Sequence, residues 1–401
     1  MLIQREQYLR TLRQFRDKDV IKVATGVRRC GKSTLFKMFR DELLSSGVDK
    51  TQIIDINFES PRYLLETVNW RDLWQDITER VKGIKQAYIF LDEIQNIPEF
   101  EKLVDGLFVE PNIDLYITGS NAYFLSGELA TLLTGRYVEI KMLPLSFAEY
   151  VTAFPHESNM RKLYEQYINF GSFPYVTEIM SQGADAVDKY LQSIYETVFY
   201  KDIIARLNPE NETKLSNVVK FLMDNIGSVA SPRKIADTMT SNGDKISHPT
   251  VDSYIESLAK SYLVYQVNRY DIRGKKILQR LGKYYLVDIG LRQTILGRTT
   301  SGDRGHILEN VVYLELLRRH RRVWIGKDET REIDFVVQTK SGDTEYYQVA
   351  ETVLSEDTRA REFRPLNGIK DHSAKYILTF DDGNYSDNGI KQINVIDWLL
   401  G

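Results

Sequence analysis

Eight residues near the amino terminus, Gly26-Val27-Arg28-Arg29-Cys30-Gly31-Lys32-Ser33, fit the spacing G-x-x-x-x-G-K-S. The pattern has a chemical logic. Glycines let the backbone curl so that successive N–H groups point inward and form an anion nest. The helix expected over 34–44 adds the positive end of its dipole. Lys32 brings a full charge to the β- and γ-phosphates of a nucleoside triphosphate, and the Ser33 hydroxyl ligates Mg²⁺. The cofactors implied are ATP and Mg²⁺, cradled by Gly26, Arg28, Arg29, Cys30, Gly31, Lys32, Ser33 and Thr34. The competing reading, a glycine turn that matches by accident, is disfavoured by the apolar run before the loop and the helical pattern after it.

Other residues extend this chemistry. Tyr88-Ile89-Phe90-Leu91-Asp92-Glu93 is an apolar strand ending in two acids. Asp92 would hold Mg²⁺, and Glu93 would polarise the attacking water as general base. The bland alternative is a pair of solvated acids closing a strand. Ser120 and Asn121 end the next strand, where a polar sensor of the γ-phosphate belongs; both types are also good helix caps. Phosphoryl transfer gains from an added positive charge. Arg136, Arg28 and Arg29 are the candidates, with Arg136 acting in cis or across a subunit interface. Cys30 lies beside arginine near a helix start, which lowers a thiol pKa; its alternative is a small residue tolerated in the loop.

These residues need a scaffold that brings distant loops to one edge. Over the first ~145 residues, apolar runs at 20–25, 52–58, 87–91, 115–118 and 137–142 alternate with helical patterns at 33–45, 70–82, 100–108 and 122–133. That alternation predicts an α/β fold with a mostly parallel, doubly wound sheet. Residues 147–225 read as a mainly helical lid, with amphipathic stretches at 161–170 and 186–206. Residues 226–298 read as helix, helix and hairpin, a winged-helix pattern. Residues 299–401 return to mixed helix and strand. The expected division is therefore 1–146, 147–225, 226–298 and 299–401, compatible with 401 residues at ~100–200 per domain. The net charge of −3 provides no global field for nucleic acid, so any such contact must be local. The single cysteine excludes an intramolecular disulfide and fits a reducing cytoplasm. No apolar run of ~18 residues suits a membrane span, and the first residues carry no secretory apolar core.

Taken in order, Gly26 to Leu35, Leu91-Asp92-Glu93-Ile94-Gln95, Thr118-Gly119-Ser120-Asn121, Leu133-Thr134-Gly135-Arg136 and Pro144-Leu145-Ser146-Phe147 resemble the AAA-like prokaryotic ATPases that carry a C-terminal DUF4143 domain. Gly171-Ser172-Phe173-Pro174, Lys283-Tyr284-Tyr285, Asp288-Ile289-Gly290-Leu291, Leu308-Glu309-Asn310 and Glu332-Ile333-Asp334-Phe335 extend the resemblance along nearly the whole chain. The family is related to archaeal and STAND-type ATPases of the ASCE P-loop class. The resemblance implies an ATPase domain, a winged-helix-like middle and a C-terminal domain similar to PD-(D/E)XK nucleases.

A nuclease of that type needs acids for Mg²⁺ and a lysine that activates water. Glu309 and Asp334 fit the first acidic positions. The following strand places Gln348 where an acid belongs and Ala350 where the lysine belongs. Lys375 is a migrated-lysine candidate, but the pattern favours a degenerate site. The hairpin segment 269–283 holds Arg269, Arg273, Lys275, Lys276, Arg280 and Lys283 against Asp271, a basic wing suited to duplex DNA phosphates. A protein partner is the alternative. The favoured reading is an ATP-driven switch. An ATP-dependent nuclease and a non-hydrolysing, nucleotide-loaded scaffold are the competitors.

Overall fold

The computed structural model describes residues 2–65, 68–122, 133, 135–209, 211–297, 303–328 and 331–401. They form two compact units: residues 2–142 with 260–262, and residues 143–259 with 263–401. No helix among the described residues is long and apolar enough to cross a membrane.

The first unit is built on strands β1 (Ile21–Thr25), β2 (Ile53–Asn57), β3 (Ala87–Asp92), β4 (Ile113–Gly119) and β5 (Tyr137–Lys141). Their order is β2-β3-β4-β1-β5, and every neighbouring pair is parallel. Each strand lies within two residues of its expected bounds. Both β1 and β3 are buried along their whole length, as strands covered on both faces must be. Side chains of successive residues then serve opposite layers. Ile89, Leu91, Leu115 and Ile117 join Leu73 and Ile77 of helix Trp70–Arg80 and Leu103 and Leu107 of helix Phe100–Phe108. Phe90 and Tyr116 stack on each other at 4.6 Å and meet Phe36 and Phe39 of helix Lys32–Ser45. Because all five strands run the same way, every loop leaving a strand opens on one edge. The helix expected over 122–133 lies almost wholly outside the described residues.

The second unit opens with helices, including Met160–Phe170, Ala184–Thr197 and Glu212–Asp224. The helix expected over 186–206 is not uniform. It passes into a π-helical stretch at Val198–Ile204. Next come β6 (Val229–Ala230), helices Pro232–Ser241 and His248–Lys260, and the hairpin of β7 (Val264–Asp271) and β8 (Lys276–Leu286). Strands β9 (Arg322–Asp328), β10 (Arg331–Gln338), β11 (Thr344–Val349), β12 (Ala374–Thr379) and β13 (Ile390–Asn394) complete it. All eight belong to one sheet, ordered β13-β12-β11-β10-β9-β7-β8-β6. Here the expectation differs from what is observed. The boundary drawn at residue 298 falls inside this sheet, because β7 pairs with β9 in parallel from Arg269↔Ile325 to Asp271↔Lys327. A hairpin arm that continues for eight residues offers a second edge, and β9 takes it.

Two motifs of this unit prove to be structural joints. The backbone N–H and hydroxyl of Ser172 both donate to Asp288 Oδ2 at 2.6 Å. A methyl group at Gly290 would sit 2.3 Å from the Gly171 nitrogen, so glycine is required for this approach. Asn310 continues the bonding of β8, accepting from Leu286 N at 2.7 Å and donating to Leu286 O at 2.9 Å.

Candidate functional site

The loop after β1 has the backbone its glycines foretell. Gly26, Arg29 and Gly31 have φ of +145°, +66° and +106°. A methyl group at Gly26 would lie 2.2 Å from the Met142 carbonyl oxygen. The helix starts at Lys32, and its first-turn residues Ser33 and Thr34 are exposed. Their backbone N–H groups belong to the orphan donors of a helix start.

Lys32 is turned into the loop. Its ammonium donates to Gly26 O at 3.0 Å and Val27 O at 3.4 Å, and lies 3.5 Å from Glu93 Oε1. Burial opposes its charge, and the carboxylates of Glu93 and Asp92 more than offset that, holding the ammonium above its usual range. Asp92 closes β3, where Thr118 Oγ1 donates to its Oδ1 at 2.6 Å. Burial pushes the Asp92 carboxyl up, against hydrogen bonds from Thr118 and Ser33. The two expected Mg²⁺ ligands, Ser33 and Asp92, are thus in contact, and both offer oxygen to a hard cation.

Glu93 has a φ of +51°, and its N–H donates to the same Thr118 hydroxyl at 2.8 Å. The Gln95 amide donates to Glu93 Oε2 and, at 3.3 Å, to Ser120 Oγ. Burial raises the Glu93 pKa, but Lys32, Gln95, Arg28 and Ser120 together hold it below the usual range. Ser120 and Asn121 are fully buried at the same edge. The Arg28 guanidinium pairs with Glu59 at 2.8 Å, and Arg29 is exposed.

The structure therefore gathers Lys32, Ser33, Asp92, Glu93 and Ser120. It does not gather Arg136, which precedes β5, where its carbonyl accepts from Ile21 N at 2.8 Å. That is the amino edge of a parallel sheet, about 16 Å of strand away from the loop edge. Its guanidinium pairs with Asp105 at 2.8 Å and lies over the Phe108 ring. Strand direction keeps it from the loop edge of its own chain, so the expected action in cis does not follow. Of the two readings of Cys30, the lowered thiol pKa does not follow, and the small residue tolerated in the loop remains. The thiol is wholly buried, and burial pushes its pKa up rather than down.

Sequence reasoning missed three residues here. Thr118 bridges the two acids, Gln95 holds Glu93, and buried Arg5 donates to Cys30 O at 2.9 Å. Gln95, two residues beyond the acidic pair, and Thr118 each left a signal in a segment that carried the resemblance; Arg5 left none.

The basic wing shrinks on inspection. Lys283 is buried, Arg273 pairs with Asp328 at 2.6 Å, and Arg269 lies 4.0 Å from Glu332. The Arg280 side chain lies outside what is described. Lys275 and Lys276 stay exposed around a turn far shorter than the 269–283 tip expected. In the region expected to resemble a nuclease, Lys375 does not reach the acidic residues. Its ammonium donates to Ile369 O at 2.6 Å.

Comparison with known proteins finds likeness along most of the chain. Residues 18–151 match the family model described as an AAA domain. Residues 161–302 match a domain of unknown function, DUF8612, in place of the expected DUF4143. The chain is 40% identical, over an alignment of 411 residues, to an uncharacterised protein of Haemophilus influenzae, covering 100% of this chain and 99% of the relative. An uncharacterised protein of Methanocaldococcus jannaschii is 29% identical, with 94% and 85% covered. Among solved structures, a Walker-type ATPase of Pyrococcus abyssi is similar at 14% identity and a TM-score of 0.49, covering 73% of this chain and 95% of that one.

Proposed function

We propose that this chain, which belongs to the family of AAA-like P-loop ATPases, hydrolyses ATP at the loop edge of its parallel sheet and uses the cycle as a conformational switch on a partner. One observation carries the reading. The Lys32 ammonium and the Glu93 carboxylate come from different elements and lie 3.5 Å apart, with Ser33 against Asp92 beside them.

The chemistry follows from what each group can exchange. Gly26 O and Val27 O are neutral acceptors that a phosphate oxygen replaces with a stronger, charge-assisted bond to Lys32. Ser33 and Asp92 would hold Mg²⁺, which would neutralise part of the phosphate charge. Once Lys32 turns to phosphate, Glu93 Oε1 loses that partner and is free to accept a proton from the attacking water. Gln95 and Ser120 keep the other face of the carboxylate in position. Breaking the β–γ bridge yields ADP and phosphate, and the loop recovers its carbonyl contacts to Lys32. Ordering and release of segments around the γ-phosphate is the form such a switch takes.

The test is ATP turnover and ATP binding in wild type and Glu93→Gln, with and without duplex DNA. Glu93→Gln should bind ATP as wild type does and lose turnover by about 10²-fold or more. Wild type that binds ATP with Mg²⁺ and never turns it over would replace this reading with the nucleotide-loaded scaffold. Stimulation by duplex DNA would name the partner class, and its absence would favour a protein.

A further inference from the structure

A second carboxylate cluster lies in the other unit. Glu309 comes from helix Arg304–Arg319, and Asp334 from β10. Glu332 sits two residues before Asp334, hence on the same strand face. Lys283 enters from β8 into their midst. Its Nζ is 2.7 Å from Glu309 Oε1, 3.0 Å from Glu332 Oε1 and 3.8 Å from Asp334 Oδ1. The Lys283 side chain is only 5% exposed. Tyr285 donates to the same Glu309 oxygen at 2.5 Å, and Val349 N donates to Asp334 Oδ2 at 2.9 Å.

A nuclease-like fold implies a divalent cation at this place, and the residues present do not fit one. Gln348 stands where the third acid belongs and is engaged by protein, accepting from Asp334 N at 3.4 Å and donating to Glu362 at 3.1 Å. Ala350 stands where the lysine belongs. A dication needs ligand oxygens at about 2.0–2.6 Å, and the ammonium already lies among them and would repel it. No group of His, Cys, Asp and Glu among the described residues is arranged to hold a metal.

We propose that the Lys283 ammonium takes the place of the divalent cation in this nuclease-like fold, so that the unit is held by a cation tethered to its own backbone and cleaves no phosphodiester. The positive charge missing from β11 has moved to β8. There it joins the hairpin to the helix bearing Glu309 and to β10. Arg269, 4.0 Å from Glu332, adds to the positive side, and His306, 3.9 Å from Glu309, does so when protonated. A lysine in this position cannot be chelated away, so the unit is independent of metal supply.

The test uses the full chain without nucleotide and Mn²⁺ alone as the probe. Mn²⁺ bound by wild type and by Asp334→Asn is compared by electron paramagnetic resonance; metal near Asp92 is common to both. Equal occupancy is expected. A site present in wild type and missing in Asp334→Asn would overturn the proposal. Lys283→Ala leaves buried carboxylates without their cation, so its apparent Tm should fall by about 10 °C. Millimolar Mn²⁺ should recover much of that loss, and should not do so in Lys283→Ala/Asp334→Asn. A Lys283→Ala protein as stable as wild type, or one that Mn²⁺ does not rescue, would also sink the idea. Should Lys283→Ala fail to fold, the comparison of wild type with Asp334→Asn decides alone.

Discussion

Lys32 and Lys283 are each 4% exposed, and each lies within salt-bridge reach of carboxylate. They differ in what surrounds the ammonium. The nearest acceptors of Lys32 are two loop carbonyls, its one carboxylate is 3.5 Å off, and exposed Ser33 and Thr34 adjoin it. Lys283 is enclosed by three carboxyl groups within 3.8 Å. Burial therefore does not separate a working lysine from a structural one. The exchangeability of its partners does. A neutral carbonyl yields to a phosphate oxygen, whereas a carboxylate released from a buried ammonium becomes an uncompensated charge.

The largest effect expected from this contrast is functional loss without structural loss. Lys32→Ala should lower ATP turnover by at least about 10²–10³-fold, as removal of a charge-stabilising donor does. Its Tm should stay within a few degrees of wild type. A Lys32→Ala chain that loses as much stability as Lys283→Ala would erase the distinction between the two sites.

Next comes a pH dependence confined to the Lys283 cluster. Burial first, then the neighbouring Glu309 charge, pushes the Asp334 carboxyl up to about 8. Between about 4 and 8 the folded chain holds this proton and the unfolded chain does not. Folding then takes up a proton, so stability falls as pH rises through that window. Asp334→Asn should flatten the Tm profile of wild type between those limits; an unchanged slope would assign the dependence elsewhere.

The smallest effect concerns Gln95. Removing a donor that holds Glu93 low should raise the pKa of the base. Gln95→Leu should lower kcat by roughly 10-fold, move the acid limb of its pH profile to higher pH and leave KM for ATP nearly unchanged. A KM defect with an unmoved pH limb would make Gln95 a binding residue instead.

The nucleotide edge was legible because its signals are local. Glycine spacing, an apolar run ending in acids and regular alternation all sit within short windows, and the five strands appear where the pattern puts them. Arg5 left no trace and Thr118 only its place in a resembling segment, since each meets its partners through the fold. The cis half of the Arg136 expectation was avoidable. In a parallel sheet, a residue that precedes one strand cannot share an edge with a loop that follows another. Lys283 was misread for a deeper reason. In the chain it belongs to a basic run, while its carboxylates come 26, 49 and 51 positions later. A charge run describes a surface only if all its members point outward, and strand alternation sends some of them in.

The β7–β9 pairing bears on how this protein can be cut. A fragment starting at residue 299 would begin beyond the hairpin and leave one side of β9 without its neighbour. Its unpaired backbone groups would offer a template for any passing strand, and Glu309, Glu332 and Asp334 would be left without Lys283. Such a fragment, which the expected domain boundary invites, should stick to itself in solution.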